Sequence, residues 1–248
     1  MRRRALMAGV GALALSGAAA TWMGRDERAV ALVYRGPASV PGCPEAVAAL
    51  IDTGPVALRA VFCGPQEKVP LSSGALAEAA VFAQPGGGTL REGWEHMRPY
   101  ARAIREFTAA GGRYLGFCLG GYLAGATPGF ALLPGDTARY IDTAGAAVRT
   151  PEETVVAVRW RNQRRHLFFQ DGPVFRLREG GVTVLARYGN GEIAAAVARY
   201  GAGTVGVVGP HPEADRSWYR DGVVNPDGIR FDLGHDLIAA VMAEQTSS

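Results

Sequence analysis

The chain has 248 residues, of which 48% are hydrophobic, enough to fill the core of a single α/β domain. Its 26 basic residues outnumber its 23 acidic residues, and Arg2, Arg3 and Arg4 account for the whole excess. The remainder is formally neutral, so the sequence gives no general electrostatic reason to bind nucleic acid or an anionic membrane. The Cys and His residues lack the spacing of a zinc site, and nothing in the sequence indicates a metal or another cofactor.

The amino terminus has the pattern of an export signal. Its three arginines precede an uncharged apolar stretch from Ala5 to Ala20, which ends in the small residues that signal peptidase accepts. The arginine pair also fits a twin-arginine signal. We therefore predict a signal peptide over residues 1–20 and a domain over residues 29–248, exported to the periplasm or beyond. An uncleaved membrane anchor is the alternative, although the apolar stretch is shorter than the roughly 20 residues that a span requires.

The first predicted elements are a strand over residues 29–34, a helix over 44–51 and a strand over 56–62. Cys43 lies in the turn after the first strand, where we expect it to border a site, and Cys63 follows the second strand. In an oxidising compartment these two cysteines could form a disulfide, which would leave Cys118 as the free thiol. Alternatively, both are small apolar residues of the core.

A third strand over residues 80–84 runs into a glycine-rich turn that contains Gly86 and Gly87. Without side chains, these residues allow backbone amides to approach a ligand closely, as an oxyanion hole requires. A flexible turn is the alternative. A helix predicted over residues 93–110 follows, and a Gly pair ends it.

Residues 113–122 carry the most specific motif, RYLGFCLGGY. It is typical of a nucleophile elbow, in which glycines on both sides allow a sharp strand-to-helix turn that presents Cys118. The helix amino terminus favours a thiolate there, and the amide of Leu119 faces a developing oxyanion. A buried cysteine in a glycine-rich turn is the alternative.

The segment from residue 137 to about 200 consists of short alternating runs separated by glycine turns, which predicts antiparallel strands inserted at the sheet edge. The following apolar strand over 204–208 leads into Gly209-Pro210-His211-Pro212-Glu213. At the carboxyl ends of neighbouring parallel strands, His211 can meet Cys118, and Glu213 can orient the imidazole. Cys118, His211 and Glu213 are therefore the predicted catalytic residues, and a solvated histidine in a turn is the alternative for His211.

Four segments together resemble one known family: 82–87 (FAQPGG), 111–122 (GGRYLGFCLGGY), 168–175 (FFQDGPVF) and 209–213 (GPHPE). This ordered set is similar to the amino-terminal, glutamine-amidotransferase-like domain of biotin-protein ligases, which also occurs in bacteria as a free-standing protein. The resemblance implies a class I glutamine amidotransferase-like (flavodoxin-like) α/β fold, with a parallel sheet, helices on both faces and a Cys-His-Glu site. It also implies that Gln170 and Asp171 lie near that site, where their polar groups could hold a substrate.

Two departures from the family limit what the resemblance implies. Glutaminases of this superfamily usually carry Gln four residues after the nucleophile, where it helps to bind the substrate, and this position is Tyr122 here. Tyr122 is thus a candidate substrate-binding residue, but glutamine hydrolysis is in doubt. A biotin-binding Gly-Arg-Gly-Arg loop does not occur in the sequence, so we do not expect biotin ligation by this chain alone.

The sequence therefore predicts an exported, thiol-dependent hydrolase or acyl transferase that acts on an amide or ester of a small-molecule or peptide substrate. Nucleic acid is not an expected partner, and a membrane is one only if the amino-terminal segment stays uncleaved. The alternative is a non-catalytic binding or redox-sensing protein on the same fold.

Overall fold

In the computed structural model, which describes residues 27–178 and 180–243, eleven strands pair into one sheet with a parallel and an antiparallel half. The predicted signal peptide over residues 1–20 lies outside the described residues. Among the described residues, we find no helix with both the length and the apolar character needed to span a bilayer.

The parallel half consists of five strands whose side chains are mostly buried. It follows the order β2-β1-β3-β4-β11, and every neighbouring pair in this order is parallel. Apolar residues run almost continuously along its central strands because helices cover both faces. The strands are β1 (Ala29–Tyr34), β2 (Leu58–Cys63), β3 (Val81–Gln84), β4 (Arg113–Phe117) and β11 (Gly203–Val208).

Helices pack on both faces of this half, as the sequence predicted. One face holds α1 (Cys43–Asp52) and α6 (Asp232–Met242), whose apolar residues share a core with Val33 and Leu115. On the other face, Phe82 and Tyr114 share a core with apolar residues of the remaining helices. These are α2 (Ser73–Ala77), α3 (Leu90–Met97), α4 (Ala101–Ala109) and α5 (Leu119–Leu123).

The single helix predicted over residues 93–110 is wrong, because the structure divides this segment into two helices. Helices α3 and α4 are separated by a 3₁₀ turn over Arg98–Tyr100, at whose centre lies Pro99. Proline has no N–H to donate, and its ring clashes with the preceding turn of an α-helix, so one continuous helix is unfavourable here.

The antiparallel half is inserted between α5 and β11, which confirms the predicted edge insertion. Its strand β10 pairs with β11 and joins the two halves, and β9, β6 and β7 extend the sheet outward. Strand β8 pairs with β10 and with β5. The strands are β5 (Gly135–Arg139), β6 (Thr154–Trp160), β7 (Gln163–Phe169), β8 (Pro173–Leu177), β9 (Val182–Tyr188) and β10 (Ile193–Tyr200).

Candidate active site

Cys118 lies in the sharp turn that the motif predicts, between β4 and α5, with φ 47° and ψ −102°. The glycines around it are required by close backbone packing. A Cβ atom on Gly120 would lie 2.0 Å from the carbonyl oxygen of Gln84, and one on Gly116 would lie 2.5 Å from the carbonyl oxygen of Gly120. Backbone atoms cannot yield as a flexible side chain does, so these glycines hold the elbow against β3.

His211 reaches Cys118 because their strands are neighbours in the sheet. Phe117 and Val208 are paired in register, and the Cys118 amide donates to the Val208 carbonyl over 2.9 Å. The next turn of chain brings His211 alongside, where its amide donates to the Phe168 carbonyl over 2.8 Å. The cysteine and the histidine thus follow the carboxyl ends of adjacent parallel strands, where open α/β sheets place their ligand sites.

The His211 imidazole connects Cys118 to Glu213. Its Nδ1 lies 2.8 Å from Oε1 of Glu213, and the ring and Cys118 both pack against the Cβ position of Gly86. Since Glu213 occupies Nδ1, Nε2 is the nitrogen that faces the thiol. The structure therefore brings together the three side chains predicted to form the centre of the site.

The electrostatics of this group depend on its burial. His211 is 4% exposed and Glu213 is 0% exposed. Burial alone would lower the pKa of His211, but Glu213 and Cys118 act against it through charge and hydrogen bonding and raise that pKa to about 10. Within the described residues, Oε2 of Glu213 has no hydrogen-bond partner. The imidazolium is thus the counter-charge that a buried carboxylate needs.

The glycine turn after β3 packs directly against this group. A Cβ atom on Gly86 would lie 3.0 Å from Cε1 of His211 and 3.8 Å from Cβ of Cys118, and one on Gly87 would lie 2.5 Å from Cδ2 of Leu119. Only glycine lets the backbone come this close. Leu119 is the first residue of α5, a position whose amide has no acceptor within the helix. The predicted oxyanion-hole residues therefore surround Cys118.

A short turn over Gln170 and Asp171 covers the nucleophile from the antiparallel half. The Cys118 thiol donates to the Gln170 carbonyl oxygen over 3.6 Å, and the Tyr122 hydroxyl donates to the Asp171 carbonyl oxygen over 3.0 Å. Asp171 has a left-handed backbone with φ 48°. The three predicted substrate-binding residues thus meet beside Cys118, and the Tyr122 hydroxyl is already hydrogen-bonded within the protein.

Arg139 is a site residue that the sequence did not reveal. Its guanidinium donates to both carboxylate oxygens of Asp171 over 2.8 to 3.2 Å and to Asp142 over 3.4 Å. It lies at the end of β5, which reaches the site through pairing with β8. No motif surrounds it in the sequence, so only the strand pairing could have identified it.

A cavity of about 620 Å³ opens over Cys118 and His211. The predicted residues Leu119, Gly87, Tyr122, Gln170 and Asp171 also line it, as do Arg139, Glu92 and Trp218. Among the described residues, no group of three His, Cys, Asp or Glu side chains is arranged to hold a metal ion.

Cys43 lines this cavity as well. Its Sγ lies 3.3 Å from the Cβ position of Gly86. Cys43 and Cys63 are both free thiols, so the disulfide considered from the sequence is not formed. Cys63 packs in the core that contains Leu32 and Phe82, whereas Cys43 borders the site, as expected from its place after β1. Burial raises the pKa of both thiols, that of Cys63 to about 12.

Comparisons with known proteins agree with this architecture. Residues 32–139 match the family model described as biotin-protein ligase, N terminal. A glutamine amidotransferase crystal structure is similar with a TM-score of 0.55 and 19% identity, covering 75% of this chain and 90% of that one. A GMP synthase-like protein from Thermoplasma acidophilum is similar with a TM-score of 0.53 and 11% identity, covering 86% of this chain and 95% of that one. No curated protein sequence matches the chain.

At these identities the structural likeness establishes the fold alone, and the family match covers the segment that contains the glycine turn and the elbow. Residues 32–139 are therefore similar to the biotin-protein ligase N-terminal family, and the fold of the chain is glutamine amidotransferase-like.

Proposed function

We propose that this protein is a cysteine-dependent hydrolase or acyl transferase, with Cys118 as nucleophile, His211 as base and Glu213 as the group that orients His211. One observation carries the proposal: the buried His211 ring is held by Glu213 at 2.8 Å through Nδ1 and packs with Cys118 against the same glycine, Gly86. This is the relation of nucleophile, base and orienting group that covalent acyl transfer requires.

In the proposed reaction, the Cys118 proton already resides on Nε2 of the His211 imidazolium, so the Cys118 sulfur attacks the substrate carbonyl carbon as a thiolate. The amides of Leu119 and Gly87 stabilise the oxyanion that forms. The bond to the leaving group then breaks, His211 protonates that group, and an acyl-cysteine remains. Water, deprotonated by His211, attacks the acyl carbon, the C–S bond breaks, and the free acid leaves as the thiolate is restored.

Tyr122 argues against glutamine as the substrate. Its hydroxyl is bound to the Asp171 carbonyl, so it fixes the covering turn. Burial raises its pKa further above the usual range, which keeps the phenol neutral. The Gln that glutaminases usually carry at this position would offer a side-chain amide to a glutamine substrate, and Tyr122 does not. An amide or ester with a different polar group therefore fits this wall of the cavity better than glutamine does.

A redox-sensing or binding role is the second candidate, and the position of Cys43 favours it. The Cys43 thiol borders the same cavity as Cys118, next to Gly86. Two thiols on one cavity could respond together to an oxidant. This role requires a reactive Cys118 but no turnover.

Turnover of a substrate panel distinguishes the two roles. Wild type and Cys118→Ala would be compared on p-nitrophenyl esters, anilides and primary amides, with Cys63→Ala as a control that removes a buried thiol outside the site. The hydrolase proposal predicts turnover of at least one substrate class that only Cys118→Ala abolishes. Reactivity of Cys118 without turnover of any class would favour the sensor.

We also propose that the protein acts outside the cytoplasm, on the basis of the arginines and the apolar stretch within residues 1–20. Replacing Arg3 and Arg4 with Lys should retain the full-length protein in the cytoplasm if the twin-arginine route exports it. Unchanged export would indicate the general route, and an intact amino terminus on the exported protein would indicate an anchor.

A further inference from the structure

A second cavity of about 250 Å³ adjoins the cavity over Cys118. Both cavities are lined by Val40, Cys43, Gln170 and Trp218, so these residues mark where one passes into the other. The residues that line only the smaller cavity include Phe168, Ser217, Glu153 and Arg220. We call the smaller one the side cavity.

The side cavity lies on the aromatic side of His211. The Phe168 ring centroid is 5.9 Å from that of His211, and the Trp218 centroid is 5.0 Å from it. Phe168 and Trp218 also pack edge to face on each other, with centroids 5.3 Å apart. Flat apolar walls therefore begin at the imidazole that the proposed reaction uses.

The larger cavity contains the reacting groups. It is lined by Cys118 and His211, by Leu119 and Gly87, and by the polar pair of Arg139 and Asp171. In acyl transfer, the carbonyl oxygen must point to the amide donors, whereas the departing group must lie next to the imidazole that protonates it. The acyl part of a substrate thus belongs in the larger cavity, and a leaving group beside His211 extends past Trp218, which lines both cavities, into the side cavity.

We infer that the side cavity is a leaving-group subsite, which selects N-substituted amides or esters whose amine or alcohol carries a flat apolar body. Primary carboxamides are not favoured, because ammonia occupies about the 30 Å³ of a water molecule and would leave such a space unfilled. Glu153 and Arg220 at its exposed rim suit a leaving group with a polar end. This inference rests on the proposed nucleophilic role of Cys118.

The proposed cleavage is balanced without a co-reactant other than water. The Cys118 sulfur bonds to the acyl carbon, the C–N or C–O bond breaks, and the amine or alcohol leaves with a proton from His211. Water then replaces the sulfur and yields the acid.

Alkylation tests the subsite without requiring turnover. Iodoacetamide and N-phenyl iodoacetamide both form a thioether with Cys118 and release iodide, but only the second carries a flat nitrogen substituent. The measured quantity is the ratio of their second-order rate constants at Cys118, divided by the same ratio for free cysteine. Stacking of the phenyl ring on Trp218 should raise this normalised ratio to about 10 in wild type.

Two variants alter the side cavity in different ways. Trp218→Ala removes its aromatic wall, and Ser217→Phe fills it from a residue that does not line the larger cavity. Both should bring the normalised ratio close to 1. Trp94→Ala is the matched control, because this indole packs on Phe130 and lines neither cavity. It should leave the ratio as in wild type.

A ratio near 1 in wild type, or one that neither variant of the side cavity lowers, would overturn the subsite while leaving Cys118 as nucleophile. Alkylation of Cys118 by iodoacetamide no faster than that of free cysteine would instead overturn the nucleophile, and the subsite with it. The failure of the inference and that of the proposed function thus give different results.

Discussion

The parallel and antiparallel halves of the sheet contribute different things to the site. Cys118 and His211 follow two adjacent strands of the parallel half, in a backbone so tightly packed that a Cβ atom on Gly120 would meet the chain at 2.0 Å. The antiparallel half contributes Asp171 and Arg139, which hold a turn through an ion pair whose side chains are 33% and 45% exposed. Close packing thus fixes the reacting groups, whereas exposed polar contacts shape what can reach them.

The first prediction concerns the close backbone packing of the parallel half. Gly120→Ala should lower the free energy of unfolding by about 3 kcal/mol, because the added methyl group meets the Gln84 carbonyl and neither backbone can move aside. Urea denaturation measures the change. Gly74→Ala is the matched control, since its nearest neighbour, Ser72 Oγ, would be 3.9 Å away. Equal effects of the two substitutions would contradict the close packing of the elbow.

The pH dependence of stability tests the buried ion pair of the parallel half. Although burial opposes it, Glu213 and Cys118 raise the pKa of His211 from 6.5 to about 10. The folded protein therefore keeps a proton that the unfolded chain loses above about pH 6.5. The stabilisation by this proton is complete below pH 6.5 and is lost as the pH rises through about 10.

The unfolding free energies of wild type and His211→Gln are measured by urea denaturation between pH 6 and pH 10. Taking the difference between the two proteins removes the contribution of other titrating groups. The difference in unfolding free energy should decrease as pH rises. A difference that is constant or grows would show that His211 is not held protonated by its neighbours.

Two tyrosines sharpen the comparison between the halves. Tyr114 donates to the Gly120 carbonyl over 2.7 Å within the parallel half, whereas Tyr122 donates to the Asp171 carbonyl over 3.0 Å in the covering turn. Each Tyr→Phe substitution removes one hydrogen bond and should cost about 1 kcal/mol. Only Tyr122→Phe should speed amide hydrogen exchange at residues 170–172, measured by mass spectrometry. Faster exchange at residues 170–172 in Tyr114→Phe alone would contradict the role of the Tyr122 hydroxyl in holding the covering turn.

The ion pair of the covering turn should contribute least to stability. Arg139→Ala removes an exposed pair and should lower the free energy of unfolding by about 0.5 kcal/mol. Arg102→Ala is the control, because it removes another exposed ion pair, with Glu106, on α4. A loss of several kcal/mol in Arg139→Ala alone would mean that this pair is structural rather than a feature of the cavity wall.

The sequence predicted the parallel half well because its signals are local. An apolar strand, flanking glycines and one cysteine were sufficient to identify the elbow, and strand order placed His211 next to it. The sequence did not identify Arg139, whose carboxylate partner is 32 residues away and depends on the pairing of β5 with β8. Nor did it decide the roles of Phe168 and Trp218, because packing on an imidazole leaves no periodic pattern in the sequence. The division of the helix at Pro99 was missed although the proline itself was a visible signal.

The most direct test of the central claim is the alkylation rate of Cys118 by iodoacetamide at pH 6 to 7, measured on its own peptide by mass spectrometry. If His211 activates the thiol, Cys118 should react much faster than free cysteine, and His211→Ala should slow it about tenfold or more. His166→Ala is the control, because it removes another imidazole that contacts a carboxylate, Asp227 at 3.2 Å, outside the cavity. A Cys118 no faster than free cysteine, with no effect of His211→Ala, would contradict the account and leave a structural cysteine in its place.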